Sequence, residues 1–379
     1  MLAFFRATVH DLSRRPKGNI PALDLLRCVA ILLVFGTHYA QEFGAAPHIL
    51  RSPVFFWGWT GVDLFFVLSG FLIGTQLWKE LLRSGKIHIG RFLIRRGLRI
   101  WPLYFAFVLL IAFEAMFGRG TSGLWADVFF LSNYFHHQIG GGWSLSTEEQ
   151  FYVIAPSCIC ALVALGFSPR RHLWTFPVLW LVMVVCARAI TIQHNASDLR
   201  DLLYFPVHSH SDGLAMGLLI AWAFAFWPAI VYSRQFRIAV ISASVIGAIT
   251  LYHLHRTLFN FTSLALICAA ATTLAITQRR PPRFVYWTGF YVVSRLSYGV
   301  YLNHFGLLPL LRRMLGGTFS GTAGRRFWAD YLLCLAASLG CALITFITVE
   351  QPFLQLRCRR IDSANAAPLG TRQMQEIAC

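Results

Sequence analysis

Six stretches of this 379-residue chain set ionisable or hydroxyl-bearing residues into apolar sequence. The first, PALDLLRCVAILLVFGTHYA, holds Arg27 and His38 eleven residues apart. On a helix that spacing returns to the same face after about three turns and about 16 Å. Asp24 precedes Arg27 by three and can pair with it. The second, GWTGVDLFFVLSGFLIG, carries Asp63 between apolar neighbours, with Ser69, Gly70 and Gly74 placed for close helix approach or a local break. Ionisable groups in a bilayer cost several kcal/mol, so they mark ligand sites, relays or ion paths by default.

The third stretch, RFLIRRGLRIWPLYF, puts Arg95 and Arg99 on one face at i, i+4. Guanidinium forks match phosphate oxygens, so the cluster suits a phosphate group; anchoring in lipid headgroups is the competing reading. The fourth, GGWSLSTEEQFY, offers Ser146 and Glu149 as a capping box. That leaves Glu148 and Trp143 unexplained by helix initiation, and the adjacent carboxylates Glu148 and Glu149 point to different faces. The fifth, FPVHSHSDGLAMG, opens a helix at Asp212 with His208 and His210 just before it; two histidines and one aspartate in a loop are weak support for a metal, and none is expected. In the sixth, RLSYGVYLNHF, the residues Ser297, Tyr301 and His304 fall within about 60° on one helix face, a polar stripe in an apolar run.

The elements that must position these residues are membrane spans. The chain is 56% hydrophobic and 13% charged, with mean hydropathy +0.57. That composition excludes a soluble enzyme, a nucleic-acid binder and a disordered protein. Apolar runs near 20–40, 54–78, 98–117, 150–167, 173–192, 211–231, 238–254, 258–277, 292–311 and 329–349 each approach the length of a span. The expected fold is an all-α integral membrane protein, a single bundle of about ten transmembrane helices. Residues 1–19 form a cytoplasmic segment, 20–355 the transmembrane domain and 356–379 a cytoplasmic tail, disordered from Ile361. The first apolar run is of full span length and lacks a cleavage site, so it does not read as a signal peptide. The nine cysteines lie mostly in apolar sequence and read as small hydrophobes.

The net charge of +17 becomes a topology signal. With the N-terminus cytoplasmic, 23 of the 33 Lys and Arg fall on the inner side and eight on the outer. One loop disagrees: 312–328 carries four arginines on the outer side. The longest loop, 118–149, is also outside, and its apolar stretch 123–135 is too short to span, as in a re-entrant or interfacial element.

Taken in order, the motifs Arg27-x10-His38, GVDLFFVLSGFLI at 61–73, Arg95 with Arg99 and Pro102, WSLSTEEQFY at 143–152, HSDGLAMG at 210–217, SYGVYLNH at 297–304 and EQPF at 350–353 resemble the acyltransferase-3 family of integral membrane acyltransferases. The resemblance covers roughly 20–352. It implies transfer of an acyl group, usually acetyl, from cytoplasmic acyl-CoA to a hydroxyl of a glycan: O-antigen, exopolysaccharide, or a lipid-linked or lipo-oligosaccharide. A small lipophilic acceptor such as a macrolide is the variant reading. It implies residence in the bacterial inner (cytoplasmic) membrane and no permanently bound cofactor. Some relatives carry a fused hydrolase-like domain; this chain is expected to lack one, so the membrane domain completes the transfer itself or works with a separate extracytoplasmic transferase.

On that resemblance, Arg27, Arg95 and Arg99 would receive the acyl-CoA headgroup. His38 would act as general base or as nucleophile. Glu148 or Glu149 would orient His38 or deprotonate the acceptor, and Tyr301 and Ser297 would stabilise an oxyanion. Asp63, Ser69, Trp143, Ser146, Asp212 and His304 complete the expected lining. The rival is a polytopic transporter or flippase, with Arg, Asp and His as a relay. A transporter often shows inverted repeats and paired broken helices, and the sequence displays neither.

Overall fold

A computed structural model describes residues 12, 14–16, 18–44, 52–118, 120–194, 199–253, 258–278, 280–315 and 325–357. Among them there are helices and turns but no strand. The long helices, in chain order, are α1 (Pro21–Phe43), α2 (Gly61–Ser84), α3 (Ile89–Ala115), α4 (Gly142–Ala164), α5 (Thr175–His194), α6 (Asp212–Phe226), α7 (Arg234–His253), α8 (Asn260–Thr277), α9 (Thr288–Leu315) and α10 (Arg325–Thr345). In lipid every backbone polar group must be satisfied within its own segment, which leaves an apolar chain of this kind little but helix.

Local sequence sets the helix ends. Pro21 opens α1, where its fixed φ suits the first turn and its missing N–H costs nothing. α2 stops at Gly85, whose φ of +69° lets its N–H return to the Leu81 carbonyl. Beyond α10 the chain makes a π turn over Phe346–Glu350 before the last helix, Gln351–Arg357. Glu350, the last residue of that wider turn, is buried.

Seven of the described helices are long and apolar enough to cross a membrane: Pro21–Phe43, Gly58–Ser84, Ile89–Glu114, Thr175–His194, Arg234–Leu251, Asn260–Thr277 and Phe327–Leu356. The remaining long helices differ for physical reasons. α6 has only 15 residues, or about 22 Å of helix, short of the roughly 30 Å of hydrocarbon. α4 and α9 carry the polar residues described below, which lower their hydropathy. The evenly apolar spans expected from sequence therefore divide into apolar helices and more polar ones that hold the chemistry. Outward faces of the apolar group, such as Ile246 and Ile249 on α7 and Leu332 and Ile344 on α10, remain exposed, as suits a lipid-facing wall.

Packing follows small residues. α2 and α6 meet backbone to backbone: a Cβ added at Gly70 would strike the Leu214 carbonyl, and one at Gly217 the Val67 carbonyl. Gly70 with Gly74, and Gly213 with Gly217, repeat the four-residue spacing that lets helices approach closely. α1 packs against α9 and α2, α7 against α8, and α9 against α10. Ahead of α1, Arg15 donates to the carbonyls of Tyr286 and Trp287, both at 2.9 Å, and its Nε lies 3.6 Å from Asp24. This ties the N-terminal segment to the turn before α9. Asp24 thus bonds Asn19 and Ser294 of α9 and lies near Arg15, while Arg27, the partner the sequence suggested, acts on it through its charge.

The loop before α4 folds inward around one carboxylate. Asp127, in the short helix Leu124–Val128, is fully buried. It accepts from the Ser132 hydroxyl (2.8 Å) and from the amides of Gln138 (2.7 Å) and Ile139 (3.3 Å). Tyr104 of α3 donates to the Asp127 carbonyl at 3.0 Å. The apolar stretch 123–135 is therefore a folded element held against the bundle. Most of loop 312–328, and the tail from 358 onward, lie outside the described residues; Arg312 pairs with Glu42 at the end of α1.

Candidate active site

Two polar layers occupy the interior. The first surrounds His38. Its Nδ1 lies 3.1 Å from His304 Nε2, and the His304 Nδ1 lies 2.9 Å from the Val300 carbonyl one turn back in α9. His304 is fully buried, whereas His38 keeps partial exposure. Phe305 covers both rings, with centroids at 4.4 Å and 4.1 Å. Tyr301, one turn before Phe305, meets the start of α4: its hydroxyl lies 2.6 Å from Ser144 Oγ and 3.1 Å from the Gly141 carbonyl. Gly141 has φ +73° and a Cβ there would collide with Phe305 and Tyr301, so only glycine turns the chain at this point. Ser297 donates back to the Ser294 carbonyl of its own helix.

The second layer lies nearer the start of α1. Arg27 is half-buried and senses the carboxylates of Asp24 and Glu148. Glu148 accepts from Tyr152 at 2.9 Å. Because Tyr152 spends its only proton there, Ser69 of α2, 3.2 Å away, is the donor to the tyrosine oxygen. Arg96 of α3 sits over the Tyr152 ring at 5.8 Å. Glu149 faces the other way and accepts from Trp101 at 3.2 Å. Glu350 is buried among the fields of Arg99 and Arg295, and Arg295 stacks over Phe346 at 5.4 Å. The adjacent carboxylates Glu148 and Glu149 thus serve different helices, as their helical offset requires.

One sequence expectation is corrected here. The capping box of Ser146 and Glu149 does not form: α4 begins at Gly142, a turn earlier, with no side-chain cap. Ser146 instead accepts from the Ser132 amide at 3.3 Å, pinning the folded loop to α4.

A separate cluster joins α2, α5, α6 and α8. His210 Nε2 lies 2.8 Å from Asp63, and its Nδ1 lies 2.7 Å from the Tyr204 carbonyl. Phe261 stacks on the imidazole at 3.9 Å, and Trp143 lies nearly parallel at 5.7 Å. Arg188, fully buried in α5, grips both oxygens of Asp212 at 2.7 and 3.0 Å, with Thr262 bridging the pair. Trp143 links this cluster to the first layer, since its neighbour Ser144 bonds Tyr301.

The structure thus joins His38, His304 and Tyr301 at one point, and Arg27, Glu148 and Ser69 at another. It places Asp63 in a hydrogen bond with His210 and Asp212 in an ion pair with Arg188. Arg95 and Arg99 lie on α3, half-buried. Sequence reading missed Arg188, Arg295 and Asp127 as site residues and carried Glu350 only within the EQPF motif. Arg188 and Arg295 sit inside apolar runs, so the rule that flagged Arg27 would have found them. Among the described residues no group of three or more His, Cys, Asp or Glu is arranged to hold a metal.

Comparison with known proteins gives these helices a relative. The acyltransferase domain of the acyltransferase-3 family matches residues 20–347. O-acetyltransferase OatA from Staphylococcus aureus strain NCTC 8325 / PS 47 is 24% identical over 327 residues, covering 76% of this chain and 50% of the relative. The same protein from strain COL matches with the same figures. The chain therefore spans about half the length of these relatives. No solved structure matches it.

Proposed function

Because this chain belongs to the acyltransferase-3 family, we propose that it is a membrane O-acyltransferase that moves an acyl group, acetyl in the first instance, from cytoplasmic acyl-CoA to a hydroxyl of a surface or lipid-linked glycan. The observation that carries the reading is the pairing of functions along α1. At one level a half-buried arginine stands beside Glu148. About 16 Å further along the same face, a histidine is held by a second histidine. A phosphate-bearing donor with an extended arm needs a cationic end and a reactive end at about that separation. The name of the OatA relatives supports transfer of an acetyl group to oxygen.

In this reading the arginines at the near end, Arg27, Arg95 and Arg99, hold the donor's phosphates, and Glu148 keeps the Arg27 guanidinium balanced between visits. His38 takes the proton of the acceptor hydroxyl as its oxygen attacks the thioester carbonyl and the CoA thiolate leaves, or attacks that carbonyl itself, releasing the CoA thiolate, and then gives up the acyl group to the acceptor oxygen. The folded loop 120–141, tied down by Asp127 and pressed on Phe305, walls the reactive end and restricts water. The transferred group is found by mass spectrometry of surface glycans from cells with and without the gene. An acyl mass lost on deletion and restored by the wild-type chain supports the proposal; unchanged glycans refute it for that acceptor class.

A further inference from the structure

The hydrogen bonds around His304 decide which nitrogen of His38 reacts. A carbonyl oxygen only accepts, so the contact between His304 Nδ1 and the Val300 carbonyl, 2.9 Å, places the proton of His304 on Nδ1. The ring is fully buried, its ring neighbours are Phe35, Tyr301, Phe305 and His38, and no carboxylate among the described residues bonds it. A neutral imidazole protonated on Nδ1 has only a lone pair at Nε2. The contact to His38, 3.1 Å, then needs its hydrogen from His38 Nδ1.

We propose that His304 is a positioning residue that locks His38 in the Nδ1–H tautomer and thereby makes Nε2 the reactive nitrogen. The proposal rests on the reading of His38 as the reacting group and adds the part that prepares it. The chain of donors runs from His38 to His304 to the Val300 carbonyl and stops there; the Val34 carbonyl, one turn back in α1, also bonds the His38 imidazole, so His304 adds to a contact within the helix. No further acceptor takes the proton onward, so His304 holds rather than relays. The difference in burial fits this division: the holder is sealed, while the partly exposed His38 can be reached. When Nε2 takes up a proton, the charge on His38 makes its Nδ1–H bond to His304 charge-assisted, so the contact strengthens as the reaction proceeds.

The experiment uses the full chain in lipid nanodiscs, with His304→Leu, which removes the acceptor, and His304→Gln, whose amide oxygen can replace it. One readout is acyl transfer with acetyl-CoA, resolved into kcat and KM. The other is the ¹⁵N spectrum of the labelled histidines, with His38 assigned by its loss in His38→Gln. In His304→Leu we expect kcat to fall about 10²- to 10⁴-fold, the usual worth of a positioned base, with KM for donor and acceptor changed by less than about twofold. His304→Gln should regain most of that loss. His38 should report the Nδ1–H tautomer in wild type and His304→Gln, and lose it in His304→Leu.

An unchanged kcat in His304→Leu, or an Nε2–H tautomer of His38 in the wild type, overturns the proposal. So does a raised KM with kcat intact. The two readings fail separately: a wild-type chain without acyl transfer defeats the enzymatic reading, while the spectrum still decides the tautomer.

Discussion

Replacing Arg188 with leucine tests whether the cluster at the head of α6 is a keystone of the bundle. The guanidinium is fully buried and donates to both Asp212 oxygens, to Thr262 and to the Ser209 carbonyl. Leucine removes all of these donors at once and strands Asp212, itself 1% exposed, with Thr262 as its only remaining described side-chain partner. Breaking a buried pair by deleting one member costs about 3–5 kcal/mol, mostly the penalty of the charge left behind. At about 1.4 kcal/mol per decade, the unfolded fraction should rise roughly 10²- to 10⁴-fold. If the stranded charge is the cause, adding Asp212→Asn should return a large part of the loss, with a coupling of at least about 1.5 kcal/mol. The assay is reversible unfolding in mixed micelles of dodecylmaltoside and sodium dodecyl sulfate, for the two single variants and the double. A single Arg188→Leu variant within about 1 kcal/mol of wild type would refute the reasoning, as would strict additivity with Asp212→Asn.

His38→Ala should abolish acyl transfer while the chain still inserts and purifies as a single species; retained turnover removes His38 from the chemistry. Arg99→Ala should raise the KM for acyl-CoA by about tenfold or more and leave the KM for acceptor unchanged, measured in proteoliposomes, whereas equal donor KM assigns the arginine to lipid anchoring. Gly217→Val would drive a branched side chain into the Val67 carbonyl, and overpacking of this kind costs about 1–3 kcal/mol or more; its thermal midpoint in detergent should drop accordingly. In a chain stripped of reactive cysteines, Lys86→Cys and Thr121→Cys should react with an impermeant maleimide from opposite sides of the membrane, and labelling from one side breaks the expected topology.

Much of this arrangement is legible in the sequence because lipid simplifies the code. A run such as 21–43 has few alternatives to helix, and an Arg or His inside it stands out against its surroundings. The polar stripe of Ser297, Tyr301 and His304 was visible for the same reason. Its partner was not: His38 and His304 are separated by 266 positions, and spacing arguments act only within one element. The capping-box reading of Ser146 failed because a glycine at positive φ starts α4 a turn earlier, and tertiary contact with Ser132 then claimed the hydroxyl. Glu350 was visible only as part of the EQPF motif; the π turn that it ends, where it is buried, leaves no mark in helical periodicity. Arg295 is one of the 23 Lys and Arg counted on the inner side, and the count hides that it lies well inside α9.

The pairing of α1 with α9 also imposes an order on biogenesis. Asp24 finds Arg15 and Asn19 within its own neighbourhood, so the first span can leave the ribosome with that carboxylate already countered. His38 has the Val34 carbonyl within its own helix, but the ring that pairs with it comes from elsewhere. Its holder emerges some 266 positions later, roughly 13–50 s at ordinary rates of synthesis. Until α9 docks, the imidazole has not met the ring that holds it. If His304 positions His38 as proposed, a nascent chain that stops before α9 lacks that holder even when correctly inserted, and gains it only with the last two of the ten long helices.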